Sequence, residues 1–266
     1  MDSPAMIVTM AAELGLDAIA LTDHDTLAGM PEAKAAADKM GLGLIPGVEL
    51  SVNHRGTKIH MLVYGIEPGT GPIQDKLEHL RSGRTARNHK IVAALVDLGY
   101  EITMDDVLRH AHGPSVGRPH IADALVEGGY IASRDEAFAD LLHDGGVAYF
   151  PRIHLSAIEA IELATESGGV SVIAHPKTVN LRSDPFVEML KELASKGLGG
   201  IEAHHPMHDA DLRHHLEGLA HQLGLIATGG SDYHGMTQRT FRIGTGTGDL
   251  RIPPEAFDQI SSLIRR

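Results

Sequence analysis

Short apolar runs that each end in histidine, aspartate or glutamate constrain this chain more than any other feature. Ala18-Ile19-Ala20-Leu21 leads into Thr22-Asp23-His24-Asp25, and Ile45-Pro46-Gly47-Val48 leads into Glu49. His175 follows Val170-Ser171-Val172-Ile173-Ala174, while Glu202, His204 and His205 follow Gly199-Gly200-Ile201. Gly224-Leu225-Ile226-Ala227-Thr228 precedes Gly229-Gly230-Ser231-Asp232-Tyr233-His234, and His60 lies inside a further run over 58–63. Runs this short, bounded by glycine and polar residues, read as buried strands. Except for His60, the candidate ligands then fall at the C-terminal ends of their strands, where barrel enzymes keep their chemistry. Nitrogen and oxygen donors delivered repeatedly to one end of a sheet or barrel are what a multinuclear metal site needs.

The segments between these runs carry helix punctuation. Ser3-Pro4 supplies an N-cap and a proline at the first helical position, and Gly15 closes that helix. A second helix is expected over 30–40, stopping at Gly41, between strands over 18–22 and 44–48. Strands over 49–53 and 58–64 flank His54-Arg55-Gly56-Thr57, which reads as a hairpin turn. From about 71 to 150 the pattern is almost purely helical: a long helix over 72–98, then shorter ones starting at Thr103 and at Ser133 with Glu136. The βα rhythm then returns, with helix starts at Ser156, Asp184-Pro185 and Asp209, strands over 170–174, 199–203 and 225–229, and a last helix from Pro253-Pro254. Residues 1–70 and 151–266 are therefore expected to form an α/β barrel core, with 71–150 a helical insertion.

Composition narrows the chemistry. The 266 residues include 18 His but no Cys, so any metal would be held by imidazole and carboxylate, suiting Mn, Fe, Zn or Mg. The missing thiols and the lack of a signal-peptide layout or a long apolar run make a cytoplasmic enzyme the expectation, with no membrane partner. A formal charge of -12 and only 4% aromatic residues argue against a general DNA or RNA binder. No phosphate-binding nucleotide loop and no Gly-x-Ser-x-Gly elbow occur, which leaves covalent nucleophiles unsupported.

Two basic features could meet phosphate. Arg81, Arg84, Arg87 and Lys90 are three apart and share a helix face, either a solvated face or a basic lid. In Gly117-Arg118-Pro119-His120, the arginine held before proline is pre-positioned for a bidentate clamp. His89, His110, His112, His143, His154, His208, His214, His215 and His221 fall on polar helix faces or loops and read as surface residues.

Leu21-Thr22-Asp23-His24-Asp25-Thr26, Gly47-Val48-Glu49-Leu50-Ser51, Ile59-His60, Ile173-Ala174-His175-Pro176 and Gly230-Ser231-Asp232-Tyr233-His234 together resemble the polymerase-and-histidinol-phosphatase (PHP) family. Ser115-Val116-Gly117-Arg118-Pro119-His120-Ile121-Ala122 resembles its branch that hydrolyses nucleoside 3′,5′-bisphosphates and short RNA. The resemblance implies a distorted (β/α)7 TIM-like barrel with two or three divalent metals, manganese first among the candidates, at its C-terminal mouth. His24, Glu49, His60, His175, Asp232 and His234 would be the ligands, with Glu49 bridging two metals. Arg118 and His204 would act at the reacting phosphate, and Arg118, His120, His205 and Arg87 would bind the substrate. The reaction implied is phosphoester hydrolysis by metal-activated water on a small nucleotide or short RNA. The family opens with a strand bearing His-x-His and then Asp; here no His precedes His24, and Met1-Asp2-Ser3-Pro4 aligns just past that motif. The first barrel strand is accordingly expected to be missing through a late start. The alternatives are a histidinol-phosphate-type phosphatase, a non-catalytic PHP binding or regulatory module, and, less well matched, a metal-dependent amidohydrolase.

Overall fold

The computed structural model describes residues 2–111, 116–151, 155–175, 181–235 and 241–264. Two compact units emerge, residues 1–74 with 154–266, and residues 75–153. The first unit opens with α1 (Pro4–Glu13), β1 (Ala18–Leu21), α2 (Met30–Met40), β2 (Gly43–His54) and β3 (Thr57–Tyr64). The next helices are α3 (Pro72–Asp97), α4 (Met104–Arg109), α5 (Arg118–Glu127) and α6 (Arg134–Ala137), the last running into a π-turn over Phe138–Leu142. The first unit then resumes with β4 (Leu155–Ser156), α7 (Ala157–Glu166), β5 (Val170–Ala174), α8 (Asp184–Ser195), β6 (Gly200–His204), α9 (Ala210–Gln222), β7 (Ile226–Gly229) and α10 (Pro254–Ile264).

The sheet runs β1-β2-β3-β5-β6-β7, with β4 added beside β2. Pairing is parallel except where β3 runs against β2 and β5. This is a barrel-like α/β sheet whose end strands β1 and β7 are not paired with each other among the described residues. β5 and β6 are buried along their whole length, as central strands covered on both faces must be.

Local chemistry sets the ends of the elements. The Ser3 hydroxyl accepts from the Met6 amide at 3.2 Å to cap α1, and Gly41 takes a left-handed conformation (φ 67°) to close α2. Arg55 and Gly56 both have positive φ (49° and 90°), giving the two-residue turn that matches the twist of a hairpin. One expectation is corrected at this point. Glu49 does not end a strand; β2 runs through it, because its first half pairs with β1 and its second half continues into the hairpin with β3.

Register decides which residues meet inside the sheet. Cross-strand partners align Gly47 with Tyr64 and Val170, Glu49 with Leu62 and Val172, and Ser51 with His60 and Ala174. Partners share a face, so Glu49 and His60 stand on the same side as Leu62, Tyr64, Val170 and Val172. Ile260 of α10 packs against that apolar set, where each buried Leu or Ile stabilises by about 1.5–3 kcal/mol. The outer helices bury regular stripes: Ala157, Ala160, Ile161 and Ala164 in α7, and Phe186, Met189, Leu190 and Leu193 in α8.

The unit of residues 75–153 has its own core, built on Ile91, Leu95, Val107, Ile121, Leu125 and Leu142. Thr103 starts α4 with a full capping box: its hydroxyl accepts from the Asp106 amide, and the Asp106 carboxylate accepts from the Thr103 amide at 2.7 Å.

Candidate metal centre

Glu49 is the hub of the site. Its side chain is 6% exposed, and three imidazoles converge on it: His60 Nδ1 at 2.7 Å, His175 Nε2 at 2.9 Å and His24 Nε2 at 3.4 Å. Each arrives from a different element. His24 follows β1 and is brought level with Glu49 by a one-residue parallel bridge, in which the Asp25 amide donates to the Glu49 carbonyl at 3.0 Å. His60 comes from β3 by register, and His175 follows the last residue of β5. Two groups whose donor atoms lie within 4.8 Å of one another result, His24–Glu49–His60 and Glu49–His175–Asp232.

Asp232 reaches the cluster from a turn after β7 with φ 50°, a left-handed conformation that aspartate tolerates better than most residues. His234 Nδ1 donates to the Asp232 carbonyl at 2.9 Å, so in the neutral ring Nε2 carries the lone pair. His205 shows the opposite tautomer. Its Nδ1 accepts from the Met207 amide at 3.2 Å, so in the neutral ring Nε2 carries the hydrogen, 3.4 Å from Asp232 Oδ2 but off the hydrogen-bonding line.

The donor set fits a divalent metal. Half-buried imidazoles around a buried carboxylate, without thiolate, suit borderline and hard cations. His60 Nδ1 is buried yet makes no hydrogen bond, although Glu49 Oε1 lies 2.7 Å away, so the pair is off the hydrogen-bonding line. A buried imidazole nitrogen without a hydrogen bond, beside a carboxylate oxygen, can serve a cation.

Electrostatics follow from burial opposed by contacts. Burial would push Glu49 up, but its contacts with His175 and His60 and the charge of His24 more than reverse this and hold it well below the usual carboxylate range. Burial lowers the His24 pKa, while His175, also disfavoured by burial, is raised by Glu49. Glu202 behaves differently. Burial pushes it up to about 8 despite the nearby His175 and the hydrogen bond from the His175 amide.

The expected residues part company at β6. A bulge lies between Glu202 and His204, so Glu202 pairs with Thr228 but His204 pairs with the next residue, Gly229. The extra residue shifts the alternation. His204 Nε2 meets Glu217 Oε1 on α9 at 3.1 Å, whereas His205, fully buried, packs its ring 5.4 Å from that of His175. The structure thus brings His24, Glu49, His60, His175, Asp232, His234 and His205 together and turns His204 to α9.

His208 is a correction to the expected surface histidines. It is 4% exposed, bonded through Nδ1 to the Ala203 carbonyl at 2.9 Å, with its ring 5.4 Å from that of His205. It sits in the turn after β6, where its amide donates to the His205 carbonyl at 3.0 Å. His112, His154, Ser115 and Pro176 lie outside the described residues.

Within the unit of residues 75–153, Arg118 is the first residue of α5 and is 24% exposed. It donates to the Leu142 carbonyl at 2.7 Å and to Asp144 Oδ1 at 2.9 Å, with its guanidinium carbon 5.8 Å from the Phe138 and Tyr149 ring centroids. His120 Nδ1 accepts from the Gly117 amide at 3.1 Å, and Arg87 donates to the Phe150 carbonyl at 2.7 Å.

Comparison with known proteins agrees with this geometry. Residues 1–128 match the family described as the PHP domain. The chain is 30% identical over 247 residues to the phosphoribosyl 1,2-cyclic phosphate 1,2-diphosphodiesterase of Eggerthella lenta, covering 91% of this chain and 92% of that one. It is 30% identical to the 3′,5′-nucleoside bisphosphate phosphatase of Chromobacterium violaceum, covering 87% and 82%. A solved structure from Bifidobacterium adolescentis, assigned as a metal-dependent phosphoesterase, superposes with a TM-score of 0.80 at 32% identity over 99% of this chain and 91% of that one. Sequence, sheet and carboxylate–imidazole cluster converge, and the chain belongs to the PHP family of metal-dependent phosphoesterases.

Proposed function

We propose that the chain hydrolyses a phosphate ester of a nucleotide, either a nucleoside 3′,5′-bisphosphate or a short oligoribonucleotide, with manganese as the working metal and the cytoplasm as its location. The observation that carries this reading is the convergence of His24, His60 and His175 on one buried carboxylate, Glu49. The relative from Chromobacterium violaceum, named for nucleoside bisphosphates, supports the substrate class.

His24, Glu49, His60, His175, Asp232 and His234 would hold the ions. When bound, divalent ions supply the Lewis acidity that makes water a nucleophile near neutral pH and offsets charge on the phosphoryl oxygens. The remaining work falls to this chain's own groups. Glu49 keeps its negative charge because neighbouring imidazoles stabilise it, so it stays available to both donor groups. His205 carries its Nε2 hydrogen 3.4 Å from Asp232 Oδ2 and, off the line to that carboxylate, can donate to a phosphate oxygen. With His204 engaged by Glu217, we assign to His205 the phosphate contact otherwise expected of His204. Arg118 is the proposed phosphate clamp, with His120 and Arg87, all within the insertion over 71–150; an arginine before proline at a helix start has a fixed backbone.

The test is phosphate release from adenosine 3′,5′-bisphosphate, a short oligoribonucleotide, a ribose 1,2-cyclic phosphate and histidinol phosphate, with added Mn²⁺ and an EDTA-treated control. Metal-dependent release favouring the first two is expected. Asp232→Ala should lower it by at least about 100-fold, the upper end of what losing even an outer partner of a ligand costs. Preference for histidinol phosphate would overturn the nucleotide reading, and unchanged turnover in Asp232→Ala would overturn the ligand assignment.

A further inference from the structure

Glu202 is a buried acid for which the ligand set has no use. Its side chain projects from β6, the strand between β5 and β7, and both neighbours lead into candidate metal ligands, His175 and Asp232. Each carboxylate oxygen faces one of them. Oε2 accepts from the His175 amide at 2.8 Å. Oε1 stands where a β-carbon on Gly230, two residues before Asp232, would come within 2.9 Å of it. The residue is 4% exposed, so a displaced carboxylate has no solvent to turn into. A side chain at 230 would press on that oxygen, the end of a side chain with little room to turn.

We propose that Glu202 is a positioning residue: its carboxylate accepts from the amide just after β5 and abuts the turn after β7, and so sets His175 and Asp232 at the spacing at which both can serve one ion with Glu49. This rests on the metal reading above, and it assigns the strand between the two ligand-bearing segments a part of its own. The contact at Oε2 needs an acceptor and not a charge, so glutamine can replace glutamate there and alanine cannot. Alanine at 230 would push Oε1 away, and because the two oxygens are rigidly joined, the bond from the His175 amide would weaken with it.

The test uses the full chain and Mn²⁺ alone, with affinity and stoichiometry measured by calorimetry. Amide hydrogen exchange over 170–175 is followed in the metal-free protein, which reports the bond itself without any metal or turnover. Glu202→Ala should weaken Mn²⁺ binding by about 10–100-fold and speed exchange at the His175 amide, while Glu202→Gln stays within about threefold of wild type. Gly230→Ala should weaken binding in the wild-type background and have no further effect alongside Glu202→Ala, since the atom it strikes is then gone. Additive effects of Gly230→Ala and Glu202→Ala, or wild-type binding and exchange in Glu202→Ala, would overturn the proposal. Should Glu202→Ala fail to fold, Gly230→Ala with Glu202→Gln still decides it: normal binding by Gly230→Ala, or loss in Glu202→Gln equal to that in Gly230→Ala, would count against it. Wild-type protein that binds no Mn²⁺ would overturn the metal reading and this inference together, whereas binding by wild type with no response to these changes would remove this inference alone.

Discussion

Single residues here do work that their neighbours in space define. Of the candidate ligands, His24, His175, Asp232 and His234 stand out in the sequence because they follow short apolar runs, whereas Glu49 and His60 lie inside strands and are singled out chiefly by the family resemblance. Glu202 satisfied the same rule, yet its link to His175 and Gly230 depends on which strands lie side by side, and one sequence does not state that. Another acid illustrates a contact with a measurable pH signature. Asp123 is held below its ordinary pKa by Arg134, against the opposing effect of burial. A depressed carboxylate contributes stability that is present above the unfolded pKa of about 3.9 and is lost as pH falls through the lower folded value. Arg134 is 59% exposed, so solvent screening limits the contribution to no more than about 1 kcal/mol. Asp123→Asn should therefore be less stable than wild type at about pH 6, with a deficit that shrinks as the pH falls below the unfolded value, as urea midpoints at that pH and in acid would show. An equal deficit at both would remove the pair from the acid dependence.

Elements obeyed local rules wherever the rule was local. Caps at Ser3 and Thr103, the glycine stop at Gly41 and the Arg55-Gly56 turn each sit where the sequence placed them, because side-chain hydrogen bonds and positive φ are decided within a few residues. The extension of β2 through Glu49 and the bulge in β6 were not legible. Both depend on pairing with distant strands, and the bulge decides whether His204 or His205 faces Asp232. α8 offers a test of packing at this scale. Leu190 is fully buried in its apolar stripe beside Phe186, Met189 and Leu193. Leu190→Ala should cost about 2–5 kcal/mol, read as a lower denaturant midpoint with an unchanged slope. A loss below about 1 kcal/mol would mean that the helix is not part of the core.

At the scale of the whole molecule, charge and architecture set what the protein can meet. No helix among the described residues is long and apolar enough to cross a membrane. The formal charge of -12 opposes a polyanion over its length, although a metal cluster can still attract one phosphate locally. Duplex DNA should accordingly show no retention in a filter assay at 0.15 M salt (the ionic strength at which the Debye length is about 8 Å), with or without Mn²⁺; tight, salt-sensitive binding would show that the net charge hides a basic stripe. Barrel architecture was readable because strands and helices alternate, while the reversal of β3 was readable only as a hairpin. The position of Glu49 carries one more consequence. As a member of both donor groups, it makes them parts of one thermodynamic system: an ion entering either group changes the charge the other presents, by the same coupling free energy in each direction. Loading should then be stepwise, because the second ion meets a carboxylate whose charge the first already offsets, and scarcity of metal would leave the centre singly loaded before it empties.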